Sequence, residues 1–176
     1  MRTYSLLAIV GLAIVPVAQA TVILEIEGNN NAINSNILPD FNAPGDSVLI
    51  DGGMTPDDVD FFRITVDGPA QIVASSFGRP NSLSGDTMLA LFDSNGVELV
   101  FDDDNGVNNF SSLEAQVPAG TYFLAITGFG DRNFDGIGHQ QNLLYKLIVG
   151  ANVIPTPGAL ALAGIGGLMI ARRRRA

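Results

Sequence analysis

The chain has no cysteine, no tryptophan and only one histidine. Without cysteine it can hold no disulfide framework, no thiolate metal site and no cysteine nucleophile. A lone histidine, His139, excludes HExxH zinc sites and His-rich metal clusters, and it leaves a single possible base for a Ser/His/Asp arrangement. Positive charge is scarce too, with 9 Lys and Arg against 18 Asp and Glu. Nucleic acid is therefore not an expected partner, because neutralising phosphates needs basic residues in excess. Aromatic residues make up 7% of the chain, so aromatic platforms for ligand stacking look poorly supplied. What is present is 176 residues, enough for one ordinary domain with appendages, and their charge is unevenly distributed.

Residues 1–20 read MRTYSLLAIVGLAIVPVAQA. One arginine, a short apolar run from Leu6 to Val15 and a closing Ala18-Gln19-Ala20 describe a secretory signal peptide cut after Ala20 by signal peptidase. The other reading, a transmembrane anchor, suffers because the run is short for about 30 Å of hydrocarbon and Pro16 would interrupt the helix. At the other end, residues 151–176 contain Pro155-Thr156-Pro157, the apolar stretch Gly158–Ala171, and then Arg172, Arg173, Arg174 and Arg175. An apolar helix followed by an arginine cluster reads as a stop-transfer segment, with the arginines left in the cytoplasm. The helix is short and glycine-rich and would make a weak anchor. The plainer alternative is a simple tail anchor.

Taken together, the Pro-x-Pro motif, apolar helix and terminal arginines resemble the PEP-CTERM sorting signal, with Thr156 where that family commonly has Glu. The resemblance implies recognition by an exosortase and cleavage near Pro155–Pro157. The protein would be tethered to the inner membrane as a precursor, through transient association of the C-terminal helix, and would then reach the cell surface or extracellular space.

Between these ends lie all 18 acidic residues, opposed only by Arg63, Arg79, Arg132 and Lys146, a formal charge of −14. Hydrophobicity alternates with period two in Thr21–Glu27, Phe61–Val66, Gln71–Ser76, Thr87–Phe92, Val97–Phe101, Leu113–Val117, Thr121–Thr127 and Leu143–Val149. In the first of these, Val22, Leu24 and Ile26 share one face, with Glu25 and Glu27 on the other. Asp93-Ser94-Asn95-Gly96 between two apolar runs is a hairpin signal. No window reads as an amphipathic helix of ordinary length. The expected fold is all-β, an antiparallel β-sandwich or jelly roll of about eight strands over residues 21–150, preceded by a signal helix and followed by a short transmembrane helix.

Four stretches in this segment are similar to the bacterial pre-peptidase C-terminal domain family. They are Glu25-x-Glu27-x-Asn29-Asn30, Asp57-Asp58-Val59-Asp60-Phe61-Phe62, the run from Asp86 to Gly96 with Asp102-Asp103-Asp104 downstream, and Ala119–Leu124. The resemblance implies a secreted β-sandwich that serves as a binding or accessory module. It also implies calcium near the N-terminal acidic segment, as in collagen-binding members of the wider group.

Two sets of residues have the chemistry of a calcium site, which takes six to eight hard oxygen ligands. In the first, Glu25 and Glu27 leave one face of a strand and can converge, Asn29 and Asn30 add carbonyl oxygens without charge, and the family resemblance implies that Asp57, Asp58 and Asp60 come from a neighbouring strand. The alternative is an acidic strand face ending in a solvated turn. The second is Asp131-Arg132-Asn133-Phe134-Asp135-Gly136, in which Asp131, Asn133 and Asp135 hold the first three positions of an EF-hand-like loop. Its twelfth position is Asn142 rather than Glu, so it is either a standalone calcium turn or a polar hairpin loop. Asp102–Gly106 is read as a turn.

His139 follows Gly136-Ile137-Gly138 and is expected on the surface. None of Ser75, Ser76, Ser111 and Ser112 lies in a G-x-S-x-G context, so the chain is not expected to be an enzyme. The function expected is an exported, non-catalytic binding or adhesion module for an exopolysaccharide or other surface polymer, stabilised by Ca2+. The alternatives are an accessory domain or small secreted hydrolase, and a structural surface-coat subunit.

Overall fold

A computed structural model describes residues 21–80 and 85–154 of the chain. The signal peptide with Ala18 and Ala20, and the sorting motif from Pro155 to Arg175 with its apolar helix, lie outside the described residues. Among the described residues no helix is long and apolar enough to cross a membrane.

The domain is all-β, with ten strands: β1 (Thr21–Leu24), β2 (Asn36–Ile37), β3 (Asp46–Met54), β4 (Val59–Val66), β5 (Ala70–Gly78), β6 (Thr87–Asp93), β7 (Glu98–Asp102), β8 (Ser112–Val117), β9 (Gly120–Gly128) and β10 (Leu143–Val153). They form two five-stranded sheets, one ordered β1-β3-β10-β5-β8 and the other β2-β4-β9-β6-β7. Leu38, Ile50, Phe62, Ile64, Ile72, Leu89, Leu91, Leu124, Ile126, Tyr145 and Leu147, all buried, fill the space between them. The expected alternation explains these rows: in β4, Phe62, Ile64 and Val66 do face inward. The Asp93–Gly96 hairpin forms as read, with Gly96 at φ 79° and the Asp93 carboxylate accepting from the Asn95 and Val97 N–H groups at 2.8 and 2.9 Å.

Three features depart from expectation. The eight expected strands become ten, because β2 and the long β3 were not anticipated. In β3, Gly52 and Gly53 resemble a turn in sequence, but Gly52 is opposite Tyr145 on β10, and a Cβ there would run into the Tyr145 ring. The sheets are also not wholly antiparallel, since β1 pairs with β3, and β2 with β4, in parallel. Finally, β1 buries the less apolar of its two rows. Val22 and Leu24 are 64% and 71% exposed, whereas Ile23 packs against the core. Period two fixes which side chains share a face but not which face is buried. The inward row is Thr21, Ile23 and Glu25, and this brings the acidic residues to the interior edge.

The strand registers place Thr21, Val66, Val117, Gly120 and Val153 at one pole of the sandwich. Residues Glu25–Asn30, Thr55–Asp58 and Phe129–Asn142 lie at the opposite pole.

Candidate metal centre

Alternation along β4 carries Asp60 inward, at the end of the row Phe62, Ile64, Val66, while Val59 and Phe61 face a smaller apolar cluster on the outside of the sheet. Asp60 is fully buried. Its Oδ2 accepts a hydrogen bond from the Tyr145 hydroxyl at 2.6 Å, and its Oδ1 is buried without a partner. From the other sheet, the Glu25 N–H donates to the Asp51 carbonyl at 3.1 Å, so strand-like pairing extends one residue past β1. The side chain of Glu25 is thereby held on the inward face, and Glu27 follows two residues later. One oxygen from each of Glu25, Glu27 and Asp60 lies within 4.8 Å of the others.

Asn29 is also fully buried. Its carbonyl accepts the Phe61 N–H at 2.9 Å, which fixes it beside Asp60, but neither the oxygen nor the nitrogen of its side chain has a partner. Glu25 Oε1 is likewise buried and unpartnered. Asp58 stands close by. It accepts from Asn30 Nδ2 at 2.9 Å and from the Thr55 N–H at 3.3 Å. Asp57 does not join the group: it is exposed, at φ 59°, and its Oδ1 accepts the Gly138 N–H at 3.1 Å.

The electrostatics follow from this crowding. Burial, and then the Glu27 carboxylate, push Glu25 up to about 7. Burial pushes Asp60 up to about 8 in spite of the Tyr145 hydrogen bond, with Glu25, Asp58 and Glu27 adding to the rise. Glu27 is raised by burial and by Asp58. Two like charges 4.8 Å apart repel by about 3.5 kcal/mol at an effective dielectric of about 20, and by less where water screens Glu27. A buried amide left without partners costs free energy as well. A hard divalent cation answers both demands, since it neutralises the carboxylates and takes the amide oxygen as a ligand. The donors are all oxygens, which fits calcium rather than a thiophilic or imidazole-seeking metal.

The second expected site is put together differently. Asp131 is buried, and its carboxylate accepts from the Asp135 N–H at 3.2 Å, the Gly136 N–H at 2.9 Å and the Thr127 hydroxyl at 2.9 Å. The Asp135 Oδ1 accepts the Ile137 N–H at 3.0 Å, and Asn133 is exposed with no side-chain hydrogen bond among the described residues. The geometry is that of a loop folded around its first aspartate. Asp102 also organises a turn, accepting from the Asn105 N–H at 3.1 Å and the Ser112 N–H at 2.7 Å. Beside this turn Asp103 and Asp104 approach Asp86, a grouping not expected as a site, and oxygens of the three lie within 4.8 Å of one another.

His139 is not on the surface: it is 1% exposed. Its Nε2 is 2.6 Å from the Asp58 carbonyl and 3.0 Å from the Asp58 N–H, and its Nδ1 accepts the Gln141 N–H at 3.2 Å. Gly128 makes room for it, since a Cβ there would meet the imidazole. The histidine thus ties the 129–142 loop to Asp58, beside the acidic cluster.

Sequence reasoning missed Tyr145 as the group that orients Asp60. The signal was available, because a tyrosine in an inward apolar row needs a partner for its hydroxyl.

No family model matches the chain, and a search of curated proteins finds no match. Among solved structures, it is similar to the pre-peptidase C-terminal domain of a collagenase from Bacillus anthracis, at TM-score 0.44 and 13% identity, over 62% of this chain and 94% of that one. It is also similar to PliG of Aeromonas hydrophila, a periplasmic inhibitor of g-type lysozyme, at TM-score 0.44 and 12% identity, over 67% of this chain and 99% of that one. A β-glucosidase from Paenibacillus barengoltzii aligns at TM-score 0.29 and 16% identity over 75% of this chain, but over only 13% of its own length.

Proposed function

We propose that the protein is an exported, non-catalytic binding or adhesion module of the cell surface or extracellular matrix, whose sandwich is locked at one pole by a calcium ion held by Glu25, Glu27, Asn29 and Asp60, with Asp58 beside them. The observation that carries the calcium reading is the set of buried, partnerless polar atoms on Asn29, Asp60 and Glu25, drawn from two sheets to one place. The ion would supply charge neutralisation and a cross-link between β4 and the segment after β1. Tyr145 would hold Asp60 in its ligating orientation.

The test is thermal unfolding of the purified protein in chelator and in calcium. A ligand that binds only the folded state stabilises it by about 2.7 kcal/mol at a hundred times its Kd, so the melting temperature should rise by several degrees. No change at millimolar calcium removes the reading. Terbium offers a local readout, because Tyr145 is the one tyrosine of the described residues that touches the site; Tyr122 bonds to the Pro118 carbonyl at the other pole. Tyrosine-sensitised terbium emission should appear in the wild type and vanish in Tyr145→Phe.

Export is the other half of the proposal. Residues 1–20 would be removed by signal peptidase, and an exosortase would act near Pro155–Pro157, leaving the domain at the surface to meet an exopolysaccharide or other polymer. The non-catalytic reading draws support from His139, whose ring nitrogens are already engaged. Mass spectrometry of the mature protein from cells and medium tests the processing. Termini at residue 21 and near residue 157 are expected, and Arg172–Arg175 intact in all material would remove the sorting step.

A further inference from the structure

The outer face of the β2-β4-β9-β6-β7 sheet carries a feature that the modest aromatic content of the sequence did not foretell. Five phenylalanines gather there from five separate segments: Phe61 on β4, Phe92 on β6, Phe101 on β7, Phe123 on β9 and Phe134 from the 129–142 loop. Phe92 and Phe123 are registered cross-strand partners. Phe134 meets Phe92 edge-on, at 5.8 Å between centroids and 79° between planes, and Phe61 lies tilted against Phe92 at 6.2 Å. The small residues Ala90 and Ala125, both fully buried, keep the floor of the cluster low.

The rings do not close on one another. Phe61, Phe92, Phe123 and Phe134, with Ala32, wall a concavity of about 370 Å³ whose rim is Ser94, Asn95, Gly96 and Asn133. That volume is at the small end of ligand pockets, which run from about 300 to 1,000 Å³. No charged side chain lines it, although the segment carries a formal charge of −14. Arg132, next to Asn133 in the chain, forks onto Glu98 with two 2.7 Å hydrogen bonds and lies 3.8 Å over the Phe101 ring, and Arg63, the cross-strand partner of Phe123, does not line the pocket. The side chains of Ser94 and Asn133 make no hydrogen bond among the described residues, so a hydroxyl and an amide at the rim are free to pair with a ligand.

We infer that this pocket binds an uncharged sugar ring of a polysaccharide. A pyranose offers apolar C–H faces to the phenylalanine rings and hydroxyls to the rim. The absence of lining charge on a strongly acidic domain disfavours uronate or sulfated units, and an apolar peptide side chain would leave the rim amide and hydroxyl unpaired. The inference rests on the reading of the domain as a binding module and names the place and the ligand class. It does not depend on calcium.

The test is NMR of the full chain labelled with 13C at phenylalanine, titrated with cellohexaose and maltohexaose as neutral probes, trigalacturonate as an acidic one, and N-acetylphenylalanine amide as an apolar side-chain mimic. At least one neutral oligosaccharide should shift the Phe92, Phe123 and Phe134 ring signals. The double variant Ser94→Ala/Asn133→Ala should weaken that binding at least tenfold, and Ala32→Phe, which fills the cavity, should abolish it with the remaining spectrum unchanged. No ring shift with either neutral sugar overturns the inference, as does a response confined to trigalacturonate or to N-acetylphenylalanine amide; the last would make the pocket a protein-docking site. Calcium melting shifts measured on the same samples separate the two claims: ring shifts without a calcium effect leave the pocket standing and remove the metal, and the converse does the opposite. Release of reducing ends during the titration would overturn the non-catalytic reading while leaving the site in place.

Discussion

At the scale of single residues, Asp60 is the pivot, because it is a buried acid with one oxygen satisfied by Tyr145 and the other unsatisfied. Asp60→Asn keeps an acceptor for the tyrosine and removes a buried group whose ionisation burial opposes. The metal-free melting temperature should therefore hold or rise, while the calcium-induced increase is largely lost; calorimetry with and without chelator checks both. The pH dependence has a defined sign. Folding raises Glu25 from 4.5 to about 7 and Asp60 from 3.8 to about 8, so between about pH 4 and 8 the folded state holds protons that the unfolded chain has released. Stability of the calcium-free protein should then fall as pH rises through that window, and saturating calcium should flatten the dependence. Denaturant midpoints at pH 5, 6.5 and 8 measure this. A calcium-free protein that gains stability towards pH 8 would contradict the buried carboxylate cluster.

At the scale of elements, β1 and β3 show what a sequence pattern conveys and what it withholds. The placing of Glu25 and Glu27 on one face was legible from spacing alone, whereas the approach of Asp60 from a neighbouring strand was implied only by the family resemblance. Which face of β1 is buried was not legible. Val22, Leu24 and Ile26 make the more apolar row, but the partner sheet is met by Ile23, and the choice was made by the parallel register with β3. β3 was hidden because Gly52 and Gly53 carry the signature of a turn, and only the Tyr145 ring across the ladder explains the first of them. His139 was misplaced for a related reason, since the space it fills is made by Gly128, remote in sequence. Two predictions belong here. Gly52→Ala should cost about 1–3 kcal/mol through overpacking, measured by chemical denaturation, and should also disturb the calcium response through Tyr145. Lysines at Val22 and Leu24 should change stability by no more than about 0.5 kcal/mol, because these side chains are already in water. They should also lower light scattering on storage, since charge on an exposed edge strand blocks edge-to-edge pairing. Loss of folding in that variant would mean that the strand faces the other way.

At the scale of the whole molecule, two surfaces with different chemistry share the same segments. β4 presents Asp60 inward and Phe61 outward; the stretch after β1 provides Glu25, Glu27 and Asn29 on one side and Ala32 on the other; the 129–142 loop brings Phe134 to the pocket and His139 to Asp58. Strand alternation is enough to place an acidic site and an aromatic site back to back.

The position of β10 has a mechanical meaning. The chain leaves the domain along the middle strand of its sheet, which is flanked by β3 and β5 with nine registered residue pairs on each side. Antiparallel ladder bonds stand perpendicular to the strand, so tension entering at Val153 is directed across both ladders at once and must shear them together. A strand leaving from an edge would peel one bond at a time. For a domain pulled on from that point against a ligand that it holds, rupture by force should be slow even where equilibrium stability is modest, because the load is shared along the length of the strand.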